Sequence, residues 1–165
     1  MLLRTPALTD WQGRTLWSHG NADLLNQSLN ALLCSRACRA AKIIEAMDLA
    51  QRWRVENRAI IGGFHTAVEK ECLRIFLRGP QAIVVCPARG IAPFQLPVEW
   101  QTKYKRGEVL ILSAFHPSVR RATKRTAEIR NRLVLDLATD VTIIHATPRG
   151  ALDNLTKNST KGATL

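Results

Sequence analysis

The sequence predicts an α/β fold with a doubly wound, mostly parallel sheet and helices on both of its faces. Short apolar runs that suit buried strands alternate with amphipathic stretches that suit helices. Glycine or proline follows most of these runs, where a strand has to turn into the next helix. The chain has 165 residues, the length of one domain. We therefore expect a single domain over 1–155 and a polar tail over 156–165.

The first half of the fold begins with two short strands and two helices. Residues 15–18 suit a strand that ends in a Gly-Asn turn, and 22–28 suit a short helix. The apolar run at 31–34 predicts a compact buried strand. Over 39–54 apolar residues recur at helical spacing, which predicts an amphipathic helix. The residues expected to face the sheet are Ala40, Ile43, Ile44, Met47 and Ala50.

Glycine and proline divide the middle of the chain into further strands and helices. Residues 58–66 predict a strand that two glycines stop, and 66–79 predict a helix that ends at Gly79-Pro80. The next strand lies within 81–90. A helix over 97–107 follows, with proline in its first turn, and then a strand within 108–115.

The last part of the domain contains a long basic helix and one more strand. We expect the helix to run from Ser118 to Ala138 and the strand, within 140–150, to enter a Pro-Arg-Gly loop. The polar residues after this loop are expected to be short or loose. The helix places one apolar stripe on the sheet: Ala122, Thr126, Ile129, Leu133 and Leu137.

The charge balance favours a polyanionic partner. Lysine and arginine number 24 against 13 acidic residues, a net charge of +11, and each phosphate that is neutralised releases counterions. No apolar run reaches the roughly 20 residues of a membrane helix. The N-terminus also lacks the basic-then-apolar layout of a secretory signal. We therefore expect a cytoplasmic protein without a membrane partner.

The cysteines predict neither a metal site nor disulfides. All four lie in or beside apolar segments, and the CxxxC pair at Cys34 and Cys38 has no second pair of His or Cys ligands for zinc. The simplest interpretation is buried, reduced thiols. The dinucleotide signature GxGxxG is absent, so we expect no cofactor.

Candidate binding residues follow from the fold class, because ligands bind outside the carboxyl ends of parallel strands. The loops after the predicted strands carry small residues, exposed backbone N–H groups and arginines, which suit an anion. The candidate residues in these loops are Ser35, Arg36, Gly62, Gly63, His65, Thr66, Arg89, Gly90, Arg149 and Gly150.

Some of these residues have two interpretations. Gly62 and Gly63 either let the backbone approach a phosphate or merely permit a tight turn. His65 is either a functional residue or a satisfied loop histidine. Neither paired carboxylates nor a Ser-His-Asp order is present, and we expect no catalytic residue.

The triplet Arg130-Asn131-Arg132 in the basic helix is the most specific candidate. The other cations of this helix suit either a solvated face or a phosphate contact. Arg130 differs because it flanks the apolar stripe beside Thr126 and Leu133. A guanidinium there is costly unless it is paired with an acid or aimed at a ligand. We therefore add Arg130, Asn131 and Arg132 to the predicted phosphate-binding residues.

In their order along the chain, four segments resemble the Rossmann-like domain of the DNA-processing protein DprA (Smf) family, in the SLOG superfamily. Cys34-Ser35-Arg36 stands where that family has Gly-Ser-Arg, and Gly62-Gly63 begins its second motif. Arg130-Asn131-Arg132 matches in full, ahead of a hydrophobic strand. The resemblance covers roughly residues 16–155. The segments are ALLCSRACRAAKIIEAMDLAQ, AIIGGFHTAVEKECLRIFLRGPQAIVVCPARGI, EVLILSAF and EIRNRLVLDLATDVTIIHA.

The resemblance implies binding of single-stranded DNA in a basic pocket, with phosphate contacts from Arg36, Arg130 and Arg132. It also implies a role in DNA uptake, transformation and recombination, a recombinase as partner, and a homodimer. Bases can stack on exposed aromatic rings. The candidates for such rings are Phe64, Phe115 and Trp100.

Two alternatives use the same pocket. The nucleoside-monophosphate phosphoribohydrolases of the superfamily carry Pro-Gly-Gly-x-Gly-Thr-x-x-Glu, which Gly62, Gly63, Thr66 and Glu69 echo. Their signature follows a late strand, however, and the late loop at 147–150 has no glutamate nearby. We therefore predict no hydrolase activity. The other alternative is a sensor of a nucleotide-derived ligand without turnover.

Overall fold

A mostly parallel sheet forms the centre of the protein. The computed structural model describes residues 1–157 and 163–164. In chain order the strands and helices are β1 (Leu2–Leu3), β2 (Ala7–Trp11), β3 (Arg14–Gly20), a 3-10 helix (Ala22–Asn26), β4 (Leu29–Cys34), α1 (Ala40–Val55), β5 (Ala59–Gly62), α2 (Ala67–Leu77), β6 (Ile83–Val85), β7 (Phe94–Gln95), α3 (Val98–Lys105), β8 (Val109–Ser113), α4 (Lys124–Leu137), β9 (Asp140–His145), α5 (Ala151–Lys157) and β10 (Ala163–Thr164).

The strand order confirms the predicted doubly wound class. Eight strands lie in the order β10-β9-β4-β5-β6-β8-β3-β2, and all neighbours from β10 to β8 are parallel. Strands β3 and β2 extend the sheet in antiparallel pairing. The chain proceeds from β4 towards β8 and then returns, through α4, to place β9 on the other side of β4. The order therefore reverses between β4 and β9, the position where such sheets bind ligands.

Burial of the central strands on both faces explains their continuous apolar runs. Every residue of β4, β5, β6 and β8 is buried, as expected when helices cover both sides of a parallel sheet. Alternate side chains enter different cores. Leu32 packs with residues of α1 and α2, whereas Leu33 packs with residues of α4. Helices on both faces are thus confirmed.

The predicted apolar stripe of α1 is right for Ala50 and for the partly buried Met47, but wrong for Ala40, Ile43 and Ile44, which are exposed. The buried residues are Ala46, Ala50 and Trp53, whereas Ile44 is 64% exposed. The large ring of Trp53 stacks on Phe76 of α2 with ring centroids 6.4 Å apart. Burying this indole requires the helix to turn Ile44 outward, because the two residues lie on opposite sides of the helix.

The predicted start of α4 is wrong, and its predicted buried face is right only at Leu133 and Leu137. The helix begins at Lys124 rather than at Ser118, because Thr123 forms a capping box with Thr126. Its buried face contains Arg130 together with Leu133, Val134, Leu135 and Leu137. Ile129 is instead partly exposed.

The ends of the chain contain elements that sequence patterns did not reveal. The polar start holds strand β2, and the expected helix at 22–28 is a 3-10 helix. Helix α5 crosses the expected domain boundary at residue 155, and β10 pairs with β9. Residues 158–162 and 165 of the expected tail lie outside the described residues. The other predicted strands and helices overlap the observed ones. In the described part of the chain, no helix has the length and apolarity that crossing a bilayer requires.

Candidate nucleic-acid interface

A cleft of 870 Å³ opens at the carboxyl ends of the parallel strands. The loops after β4, β5, β6 and β9 line it, together with the first residues of α4 and α5. A cavity of this size accommodates a nucleotide-sized ligand. The structure brings these predicted residues together around it: Ser35, Arg36, Gly63, His65, Thr66, Arg89, Arg130, Asn131 and Gly150.

Arg130 forms the floor of the cleft. Its side chain projects from α4 towards the sheet, and the residue is only 2% exposed. Nε donates to Asn131 Oδ1 at 2.7 Å, and Nη1 donates to the carbonyl oxygen of Cys86 at 3.4 Å. Nη2 lies 2.9 Å from Nδ1 of His65. The guanidinium is therefore fixed in place by protein groups and offers a ligand little surface.

Glu69 lies beside this arginine and is equally buried, at 2% exposure. Its Oε1 accepts the backbone N–H of Cys34 at 3.0 Å, and its Oε2 accepts that of His65 at 3.1 Å. Burial raises the pKa of the carboxyl, but His65 and the two backbone donors outweigh it, so the net shift is downward. The ionised carboxylate therefore ties α2 to the end of β4.

The charges of the floor balance one another. Burial lowers the pKa of Arg130, and the nearby charge of Glu69 opposes this shift. His65 Nδ1 lies between the two, 3.2 Å from Glu69 Oε2. A neutral Nδ1 can accept from Arg130, whereas a protonated Nδ1 can donate to Glu69. The floor cluster, defined as His65, Glu69 and Arg130, is thus a paired charge network rather than a set of free cations.

Gly63 leaves the space that Arg130 occupies. A Cβ built on Gly63 would lie 1.6 Å from Nη1 of Arg130, closer than any non-bonded approach. The sequence left two interpretations of the Gly62-Gly63 pair, a phosphate approach or a tight turn. The geometry gives Gly63 a third role, since it admits the buried guanidinium. Gly62 ends β5, and a Cβ there would touch the ring of Phe64 at 3.0 Å.

Three cations surround the mouth of the cleft. Arg36 follows β4, and Lys124 begins α4; both side chains are exposed. Arg89 is half-buried, with its guanidinium carbon 5.9 Å from the ring centroid of Phe94. These rim cations, Arg36, Arg89 and Lys124, are the positive groups that an anion entering the cleft would meet.

Ser35 joins the two loops at the point where the strand order reverses. Its backbone N–H donates to the carbonyl oxygen of His145 at 2.8 Å, and its Oγ accepts from the backbone N–H of Thr147 at 3.0 Å. These bonds hold the loop that carries Arg36 against the loop that follows β9. The two loops at the mouth of the cleft are therefore held together by hydrogen bonds of Ser35.

Comparison with known proteins identifies the family. The family model described as DNA recombination-mediator protein A matches residues 8–158. The chain belongs to this family. The resemblance inferred from the sequence motifs is thereby confirmed. Among the curated proteins, no sequence matches.

Two solved structures of DNA processing protein A share the fold. One is DNA processing protein A from Helicobacter pylori, described for its single-stranded DNA binding mode. It has a TM-score of 0.73 and 17% identity, over 93% of this chain and 75% of that one. DprA from Streptococcus pneumoniae has a TM-score of 0.67 and 21% identity, over 87% of this chain and 52% of that one. The present chain thus spans about half the length of the second structure.

Four residues predicted for the site of this family member lie away from the cleft lining. Gly62 is buried in β5, and Gly90 packs on the backbone of His116, where a Cβ would lie 2.4 Å from the carbonyl oxygen. Arg132 lines a separate groove beside Arg14. Arg149 is exposed, and its backbone N–H donates to Asp153 at 2.8 Å.

Sequence reasoning also missed two residues of the cleft. Glu69 was noted only through the phosphoribohydrolase signature, although Thr-x-x-Glu at Thr66–Glu69 is a capping-box signal that places it at the start of α2. Lys124 was one of the helix cations left open between a solvated face and a phosphate contact. The stacking role expected of Phe64 and Phe115 is wrong, because both rings are buried. Trp100 is partly buried, and its ring centroid lies 6.4 Å from that of Phe94.

Proposed function

We propose that this chain binds single-stranded DNA by its phosphates in the cleft at the carboxyl ends of the parallel strands. The observation that carries the proposal is the convergence of the rim cations on the mouth of one cleft. Every phosphate they neutralise releases counterions, which favours binding. Family membership supports DNA as the polyanion, as does the description of the Helicobacter pylori structure.

The proposal assigns different tasks to the rim and the floor. The exposed side chains of Arg36 and Lys124 can reach phosphates of a strand that passes over the cleft, and Arg89 can follow them. Arg130 is buried too deeply to offer a phosphate more than a small contact surface. It instead holds His65 and Asn131, which line the cleft, in fixed positions. We infer no chemical step on the bound strand.

The family description also supports a cellular role in DNA recombination. In this proposal the cleft holds a single strand until a recombinase takes it over during DNA uptake. The cleft is open to solvent along its mouth, so a bound strand remains accessible to such a partner.

Removing one rim cation should weaken DNA binding measurably. We expect Arg36→Ala to lower the affinity for fluorescent oligo-dT about fivefold, because a charge-assisted phosphate contact is lost. The slope of the logarithm of affinity against that of salt concentration should become shallower by roughly 0.7, one phosphate on a single strand. Anisotropy titrations over a series of NaCl concentrations measure both quantities.

Arg125→Ala provides the matched control. Arg125 is exposed on α4 and does not belong to the cleft lining, so its removal should change the affinity by less than twofold. Equal losses in the two variants would show that DNA binds a diffuse basic surface instead of the cleft. A nucleoside monophosphate that binds as tightly as oligo-dT would favour the alternative of a nucleotide-derived ligand sensor.

The proposal includes no cleavage of nucleoside monophosphates. Both carboxylate oxygens of Glu69 accept backbone N–H groups, which leaves this side chain poorly placed to act as a base or nucleophile. We therefore expect no release of adenine from AMP above the buffer rate, measured by chromatography. Adenine release that Arg125→Ala retains, and that Glu69→Gln abolishes while circular dichroism shows this variant to be folded, would instead support the phosphoribohydrolase alternative.

A further inference from the structure

Arg89 differs from the other two rim cations in its surroundings. Arg36 and Lys124 are exposed, whereas Arg89 is half-buried and its guanidinium carbon lies over the ring of Phe94, 5.9 Å from the centroid. Among the described residues, its guanidinium group makes one hydrogen bond, from Nη1 to the carbonyl oxygen of Gly90 at 3.5 Å. A guanidinium group has five N–H donors, so most of them remain available to a ligand.

No acidic side chain neutralises Arg89 in the described part of the chain, since none of the ion pairs there includes it. Even partial burial of a guanidinium group is unfavourable unless an acid or a ligand binds it. Arg130 has the opposite surroundings, because Glu69 lies beside it and protein groups contact all three of its nitrogens. Arg89 is therefore the cation of the cleft whose environment is completed best by a ligand.

The loop that carries Arg89 is fixed by hydrogen bonds to β8 and to the loop after it. The carbonyl oxygen of Arg89 accepts from Oγ of the buried Ser113, at 2.8 Å. The backbone N–H of Gly90 donates to the carbonyl oxygen of Val119, also at 2.8 Å. The side chain of Arg89 therefore starts from a fixed point at the mouth of the cleft, although its own guanidinium group has few bonds.

The ring of Phe94 continues this arrangement away from the cleft. Trp100 of α3 lies next to Phe94, with ring centroids 6.4 Å apart and ring planes inclined by 34°. Trp100, Phe94 and Arg89 thus form a row of planar groups in that order, and Arg89 is the member of the row that lines the cleft. Nucleobases stack on the plane of an arginine as they do on aromatic rings. The row can therefore accept one more planar group at its end.

We propose that the guanidinium plane of Arg89 stacks on a nucleobase of the strand whose phosphates Arg36 and Lys124 bind. This inference rests on the proposed function of the cleft. Arg89 contacts the base, while Phe94 and Trp100 are positioning residues that hold the guanidinium group with one face towards the ligand. The cleft then distinguishes a nucleic acid from other chains of phosphates, because a base adds a contact that phosphates alone lack.

Two probes separate the base contact from the phosphate contacts. They are a fluorescent oligo-dT and an abasic oligomer of the same length, which carries the same phosphates without bases. The wild-type chain should bind oligo-dT about tenfold more tightly, because the abasic probe has no base to stack. Arg36→Ala should weaken both probes by the same factor, since both contain phosphates. Anisotropy titrations at one NaCl concentration measure all of these affinities.

Variants of Arg89 and Phe94 identify the group on which the base stacks. Arg89→Lys keeps the charge but removes the plane, so it should lower the affinity for oligo-dT about tenfold and change that for the abasic probe by less than about twofold. Arg36→Lys is the matched control, and it should change either affinity by less than about twofold, because a lysine still provides a charge to a phosphate.

Phe94→Leu should weaken the binding of oligo-dT but not that of the abasic probe, because the guanidinium group loses the ring that supports it. Phe94→Tyr should retain the wild-type affinity for both probes, since its ring has the same shape. Circular dichroism shows whether each variant is folded.

Equal affinities of the wild-type chain for the two probes would overturn the stacking role of Arg89 and leave phosphate binding in place. So would an Arg89→Lys variant that weakens both probes equally, because Arg89 would then be a phosphate contact, or one that weakens neither. If neither probe binds, the proposed function fails, and the stacking role fails with it.

Discussion

Replacing Arg130 by alanine should lower the free energy of unfolding by about 3–5 kcal/mol, the cost of removing one partner of a buried charge pair. The guanidinium fills the space above Gly63 and donates to Asn131 and to the Cys86 carbonyl oxygen. Without it, Glu69 keeps its negative charge in a buried site that has lost a nearby cation. A surface arginine has none of these roles.

Urea denaturation followed by circular dichroism measures this loss, with Arg125→Ala as the control. The control removes the same side chain from an exposed position five residues earlier on α4, and it should change stability by less than about 0.5 kcal/mol. If both variants unfold at the same urea concentration, the contacts of Arg130 contribute nothing to the fold, and the description of a fixed floor is wrong.

Glu69→Gln should also be strongly destabilising, by about 3–5 kcal/mol, although it preserves the shape of the side chain. Both oxygens of Glu69 accept backbone N–H groups, from Cys34 and His65. An amide has one oxygen, so its NH₂ group must face one of these donors. The substitution also removes the charge that stabilises the buried Arg130. An unmade buried hydrogen bond alone costs about 1–3 kcal/mol.

The pH dependence and a double-mutant cycle test this explanation of Glu69. Its pKa in the folded protein is lowered from the ordinary value of 4.5. Its ionised form therefore stabilises the fold fully above that value, and the contribution is lost as the pH falls through the lowered pKa. The difference between wild type and Glu69→Gln should shrink on acidification. Combining Glu69→Gln with Arg130→Ala should lower the free energy of unfolding by clearly less than the sum of the two single changes. Strict additivity would mean that the two charges do not interact.

The sequence predicted the central part of the fold because strands buried on both faces leave a clear pattern. The apolar runs of β4, β5, β6 and β8 do not alternate with polar residues, and glycine or proline ends two of them, β5 and β6. Strand β2 lacked this signal, since it lies at the sheet edge and mixes exposed with partly buried residues. Edge strands owe their structure to pairing with a neighbour, which sequence spacing does not encode.

The floor of the cleft was only partly predictable, and Arg130 shows why. A search for apolar spacing passes over a charged residue, so the buried face of α4 was assigned to Ile129. Yet Arg130 lies three, four and seven residues before Leu133, Val134 and Leu137, which is the spacing of one helix face. The sequence identified it as a costly arginine. It could not identify Glu69 as the compensating acid, because the two residues lie on different helices.

The central position of β4 has a consequence for the energetics of binding. Its six residues are all buried, and its carboxyl end is bonded to α2 through Glu69 and to the loop after β9 through Ser35. We expect the amides of such a strand to exchange with solvent only through the largest openings of the protein. The cleft loops are anchored to this buried strand, and we expect them to keep one shape before a ligand arrives. Ordering the protein then adds little to the entropic cost of association, which falls mainly on the flexible strand of DNA.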